Sequence, residues 1–151
     1  KLNGLTATFE VGANDTLYGM LRALGISSVK CGCETTNCGL CTVHMDGKAV
    51  LSCSVPAMRC NGRDIRTLEG MGDAAKALAD CLADEGADQC GFCAPGMMMN
   101  VLMLAKENAN ATDEEADVYL AGNLCRCTGY MSQKRAIRRF LNRVVSGEVR
   151  V

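Results

Sequence analysis

Lys30-Cys31-Gly32-Cys33-Glu34-Thr35-Thr36-Asn37-Cys38-Gly39-Leu40-Cys41 carries four cysteines between positions 31 and 41. Three of them, Cys33, Cys38 and Cys41, are spaced C-x4-C-x2-C. That spacing supplies three thiolates to a [2Fe–2S] cluster and needs a fourth cysteine further on. Cys53 is the next one downstream and completes the set. A loop this tight turns its thiolates toward one small centre, and its backbone amides can point at the sulfurs and offset their negative charge.

Working outward, Thr42-Val-His-Met45 and Lys48-Ala-Val-Leu51 flank Asp46-Gly47, a favoured two-residue hairpin turn. The hairpin brings Cys53 back toward the cysteine loop. Upstream, Leu5 to Val11 alternates and is rich in β-formers, so it reads as a strand entered through a tight turn at Asn3-Gly4. Asp15 or Thr16 caps a helix with apolar positions Leu17, Met20, Leu21 and Leu24, and Gly25 ends it. Ile65 to Leu68 is a last short strand. The first half thus reads as a small sheet packed by one helix, closed at Glu69-Gly70-Met71-Gly72.

Beyond Gly72 the pattern becomes helical. Ala74 to Glu85 is rich in Ala and Leu and stops at Gly86. Gln89-Cys90-Gly-Phe-Cys93-Ala-Pro95-Gly leads into a second helix, with Pro95 in its first turn. The methionines and aliphatic residues of that helix, from Met97 to Ala105, read as core packing. Thr112-x-x-Glu115 is a capping box for a third helix. Gly122-Asn-Leu-Cys125-Arg-Cys127-Thr-Gly-Tyr130 precedes a fourth, from about Ser132 to Val145. Each cysteine turn therefore lies at a helix N-terminus, where free N–H groups and partial positive charge suit an anionic centre.

Composition narrows the classes. The chain has 151 residues, a net charge of −1 and eleven cysteines. Near-neutral charge gives no electrostatic case for nucleic acid. The one basic run, Lys134, Arg135, Arg138, Arg139 and Arg143, reads as a solvated helix face. No signal peptide is visible and no apolar run approaches the roughly 20 residues of a membrane span. A disulfide scaffold is disfavoured by the odd cysteine count and by the Cys125-x-Cys127 pair, which cannot readily close on itself. Zinc is the stronger rival, because C-x2-C is also a zinc-knuckle spacing. Reduced, metal-bound cysteines point to the cytoplasm. Eight cysteines sort into two sets of four: Cys33, Cys38, Cys41, Cys53, and Cys90, Cys93, Cys125, Cys127. Of the rest, Cys81 reads as core, Cys31 as a bystander, and Cys60 carries no signal. His44, the only histidine, is expected to face solvent from its hairpin strand.

The two sets, with Gly39-Leu40-Cys41-Thr42-Val43, Asp46-Gly47 to Ser52-Cys53, Gln89 to Gly96 and Gly122 to Tyr130, resemble the two-cluster iron–sulfur subunit of molybdenum hydroxylases, the family of xanthine dehydrogenase and aldehyde oxidoreductase. The resemblance covers essentially the whole chain. It implies an α+β architecture: a plant-ferredoxin-like β-grasp domain over residues 1–72, then a four-helix, cluster-binding all-α domain over 73–151. It implies one [2Fe–2S] cluster in each domain. The helical-domain cluster would lie beside a molybdopterin (Mo) held by a large catalytic subunit, with Gln89 contacting the pterin. The ferredoxin-like cluster would lie nearer an FAD-binding subunit or an external acceptor. Relatives are glycine-rich between the first two ligands, whereas Glu34 to Asn37 contains no glycine. Asn37 tolerates positive φ and is expected to take over that conformation.

The leading functional reading is electron transfer: single electrons drained from a partner's molybdenum site through two one-electron centres, with no substrate chemistry in this chain. A stand-alone two-cluster ferredoxin and a zinc-binding interaction module are the alternatives. The subunit reading expects apolar surface near Gln89 and Gly122-Asn123; the zinc reading expects no redox signal.

Overall fold

The computed structural model describes residues 1–151. Helix α1 (Leu17–Ala23) starts where Thr16 accepts a hydrogen bond from the Gly19 amide, and it buries Leu17 and Leu21. Its expected fourth apolar position, Leu24, is 40% exposed, because it lies past the helix end at the turn into Gly25. Strands β1 (Thr42–Met45), β2 (Lys48–Leu51) and β3 (Ile65–Arg66) form an antiparallel sheet in the order β2-β1-β3. The Asp46-Gly47 turn, both residues at positive φ, sets Val43 opposite Val50 and Met45 opposite Lys48.

Two expected strands of this half need correction. Leu5 to Val11 forms no strand. Asn3-Gly4 makes the expected turn and Leu2 bridges Leu5, but Leu2 also bridges Ile65 of β3 and residues 6–11 pair with no strand, leaving Leu5 75% exposed. The last strand is shorter than Ile65–Leu68: after Arg66 the chain tightens into a 3-10 turn over Leu68–Gly70.

Four helices follow: α2 (Gly72–Asp84), α3 (Ala94–Asn108), α4 (Asp113–Leu120) and α5 (Met131–Val145). The capping box at Thr112 and Glu115 opens α4 with both reciprocal hydrogen bonds. The main core lies among these helices, around the fully buried Leu78, Phe140 and Leu141. Burying each such side chain contributes roughly 1.5–3 kcal/mol. The methionines Met97, Met98, Met99 and Met103 of α3 are all buried, as their pattern suggests. The basic run on α5 is ion-paired: Lys134 to Asp117, Arg135 to Glu85, Arg138 to Asp113, Arg139 to Asp84 and Arg143 to Glu148. Its charges hold α5 against α2, α4 and the C-terminal turn.

The sheet and the helices meet at β1 and α3. Val43 faces the smaller core under α1, while Thr42 and His44 point the other way. His44 does not face solvent as expected. It is 5% exposed and its Nε2 lies 2.7 Å from the Met99 carbonyl oxygen in α3. Burial holds its pKa below the usual histidine range, so the neutral ring donates to that carbonyl. Strand β1 is thus covered on both faces, which a local alternation pattern does not reveal.

Three stretches of backbone pack in direct contact at the same junction. A Cβ added at Gly96, in the first turn of α3, would meet the Leu40 Cα at 2.8 Å. One added at Gly39 would meet the Gly122 carbonyl oxygen at 2.5 Å and the Asn123 Cα at 3.0 Å. Real Cβ contacts are not that short, so glycine is required at both positions. G96A is expected to destabilise the chain by about 1–3 kcal/mol, the usual overpacking cost where backbone cannot yield. Chemical denaturation checks this; a midpoint equal to wild type would contradict the close approach.

Candidate iron–sulfur centres

The first site is built by the loop 31–41 and by the 3-10 turn Ser52–Ser54 that ends the hairpin. Ser52 Oγ donates to the Cys41 carbonyl at 2.7 Å, which fixes the turn carrying Cys53 beside the loop. The thiols come together in twos: Cys33 with Cys38, and Cys41 with Cys53. Cys38 and Cys41 are buried, while Cys33 and Cys53 are partly exposed. The backbone amides of Asn37 and Thr35, then the Cys38 thiol, hold Cys33 down to about 6. Burial, with Cys41 alongside, pushes Cys53 up to about 12. Cys31 is exposed, and its thiol donates to the Cys33 carbonyl rather than joining either pair.

The loop solves its lack of glycine differently from the expectation. The positive φ falls on Thr36 (57°) and not on Asn37. A β-branched residue is strained there. The gain is that the amides of Thr35 and Asn37 both reach Cys33.

The second site is built by the turns before α3 and α5. Cys93 is the N-cap residue of α3, and Tyr130, at φ 69°, is that of α5. The thiols again come in twos: Cys90 with Cys127 at 3.5 Å, and Cys93 with Cys125. The first pair is exposed and the second partly buried. Burial, then Cys125, pushes the Cys93 thiol up to about 11. Burial would also raise Cys125, but hydrogen bonds from Thr128, the Cys127 amide and Cys93 override it and bring the thiol down to about 7. The Tyr130 hydroxyl accepts the Cys125 amide at 2.8 Å and so locks the turn. Gln89 is exposed and its Nε2 donates to the Cys127 carbonyl at 3.1 Å.

No three His, Cys, Asp or Glu side chains converge on a point that would hold one metal ion. Twofold pairing is the arrangement a two-iron cluster requires, with two thiolates on each iron. A single zinc needs four donors around one centre. In both sites at least one thiol is raised by a neighbouring thiol, the repulsion that a bound cation removes. The residues present therefore fit [2Fe–2S] clusters.

The two sites touch. The Leu124 amide donates to the Cys38 carbonyl at 3.0 Å, so one hydrogen bond joins a residue of the first site to the neighbour of Cys125. Asn123, buried, donates from Nδ2 to the Gly39 carbonyl at 3.4 Å and accepts from Asn100 at 2.6 Å. Lys30 stacks over Phe92, between Cys90 and Cys93, at 5.1 Å from the ring centre. From sequence, Thr128 and Gln133 have no assigned role and Asn123 enters only as a neighbour of expected apolar surface. Thr128 and Asn123 lie inside the quoted 122–130 turn, and Gln133 is a polar residue on an apolar helix face.

Comparison with known proteins matches two iron–sulfur families to the chain. Residues 1–67 match the family described as 2Fe-2S iron-sulfur cluster binding domain, and residues 67–138 match the [2Fe-2S] binding domain family. The nicotinate dehydrogenase small FeS subunit of Eubacterium barkeri is 40% identical, with 91% of this chain and 90% of that one aligned. The xanthine dehydrogenase iron-sulfur-binding subunit of Escherichia coli O157:H7 is 44% identical, over 85% of this chain and 84% of that one. The solved quinoline 2-oxidoreductase of Pseudomonas putida 86 superimposes with a TM-score of 0.89 at 36% identity, covering 98% of this chain and 94% of the matched chain. The chain belongs to the iron–sulfur small subunits of the molybdenum hydroxylase family. Its function is electron transfer beside a large molybdenum-binding partner; it is the non-catalytic member of an oxidoreductase complex.

Replacing Thr36 by Gly should relieve about 1–2 kcal/mol of left-handed strain against about 0.5–1 kcal/mol of added chain entropy. The net expectation is equal or higher stability, read by thermal unfolding, with the first site still assembling. A clear loss of stability would show that Thr36 is unstrained.

Proposed function

We propose that Cys33, Cys38, Cys41 and Cys53 hold one [2Fe–2S] cluster and Cys90, Cys93, Cys125 and Cys127 the other. The observation that carries this assignment is the sorting of these eight thiols into four close pairs, two pairs to a site. Residues 1–72 then act as a ferredoxin-like unit of β-grasp type and 73–151 as a four-helix unit, divided where α2 begins at Gly72. When bound, each cluster takes up and gives back one electron at a time. The chain supplies the rest: amides that offset the sulfur charge, side chains that keep water off the inner thiols, and a short bonded route between sites. That route runs from Cys38 through its carbonyl to the Leu124 amide and on to Cys125.

The exposed Cys90–Cys127 edge, with Gln89 on the Cys127 carbonyl, is the face we assign to the partner's molybdopterin. The cysteine turns and the start of α5 also expose apolar side chains: Phe92, Leu124 at 49% and Met131 at 62% exposure. A partner chain would cover that surface, which favours a subunit over a free-standing ferredoxin. The first site then faces the acceptor, an FAD-binding subunit or an external one. No helix is long and apolar enough to cross a membrane, and reduced thiol ligands suit the cytoplasm.

Metal analysis with EPR on the dithionite-reduced chain tests the assignment. About four irons per chain and two distinguishable [2Fe–2S] signals are expected. C127S should remove the helical-domain signal alone. Zinc in place of iron, or one signal that survives C127S, would overturn the ligand sets.

A further inference from the structure

The apolar stripe of α5 contains one polar residue. Gln133, Ala136, Ile137, Phe140 and Leu141 are all buried and follow the spacing i, i+3, i+4, i+7, i+8 that faces a core. Gln133 is 3% exposed. Its Nε2 lies 3.7 Å from the Cys93 sulfur, and its Oε1 has no partner. A buried amide with an unpaired oxygen is costly, and an aliphatic side chain would serve the core better. The fold therefore gives no reason for Gln133; the contact with sulfur does.

We propose that Gln133 sets the electron affinity of the helical-domain centre by donating its amide N–H to the Cys93 sulfur. The inference rests on the ligand set assigned above. A thiolate ligand has no proton to give, so the amide must present nitrogen to it. Reduction adds one negative charge, part of which falls on the sulfurs. A donor fixed in a buried, low-dielectric setting stabilises that form more than the oxidised one, and so raises the potential.

The distribution of donors supports this. Cys90 and Cys127 are exposed, so water can reach them. Cys93 and Cys125 are partly buried, and each has a side-chain partner at its sulfur: Gln133 for Cys93, and the Thr128 hydroxyl at 3.3 Å for Cys125. Protein donors stand where solvent is least available.

The test is an EPR-monitored redox titration of the full chain loaded with iron and sulfide, comparing wild type with Q133L and Q133M. Both variants keep an apolar side chain on the stripe and remove the donor. The first site serves as internal reference, and C127S identifies which signal is which. The helical-domain centre is expected to become about tenfold harder to reduce, which is about 59 mV lower for one electron. The first centre should not move, and iron content should match wild type. An unmoved helical-domain midpoint in an iron-replete variant would overturn the inference. So would loss of iron from both variants, because Gln133 would then only support the fold. A wild-type chain lacking the second signal would instead refute the ligand set.

Discussion

The close approach of three backbones at Gly39, Gly96 and Gly122–Asn123 is the constraint on which the rest of the molecule depends. Gly39 lies inside the first cysteine loop, Gly96 in the first turn of α3 just after Cys93, and Gly122–Asn123 just before Cys125. Any side chain at the first two positions would separate the loop from the helices. Without that contact the Leu124 amide could not reach the Cys38 carbonyl, and Asn123 could not span from Asn100 to Gly39. The junction that holds the sheet on the helices is thus the same junction that holds the two redox sites together. His44 on Met99 and Lys30 over Phe92 add two further contacts between the first half and the helical half.

The two sites use the same elements with opposite exposure. In the first, the inner thiols Cys38 and Cys41 are buried and the amides of a strained loop serve the outer Cys33. In the second, the outer pair Cys90 and Cys127 is open and the inner pair is served by Thr128 and Gln133. A chain that must take an electron from one neighbour and deliver it to another needs one centre reachable at a docking face. The exposed Cys90–Cys127 edge, with Phe92, Leu124 and Met131 exposed in the same cysteine turns or just after them, has that character.

Much of this was legible in the sequence because it is local. Cysteine spacing, the Asp46-Gly47 turn, the Thr112–Glu115 capping box and the methionine helix are each decided by residues within a few positions of one another. What was not legible depends on contacts distant in sequence. His44 alternates as a solvent-facing strand residue and is buried only because α3 covers that side of the sheet. Leu5 to Val11 has strand composition but, past the single bridge from Leu2 to Leu5, no neighbouring strand pairs with it. Asn37 was the better candidate for positive φ by residue type, yet Thr36 takes it, because that turns the amides of Thr35 and Asn37 toward Cys33. Gln133 is a polar break in the α5 stripe whose meaning depends on a partner forty positions earlier.

If one bonded junction fixes the two centres against each other, their unpaired spins must interact. The direct measurement is the electron spin relaxation of the first centre in the fully reduced chain, compared with the same signal when the second centre is absent. Faster relaxation in the two-centre chain is expected. Identical relaxation in the two would contradict the contact between Cys38 and Leu124 on which the electron route depends.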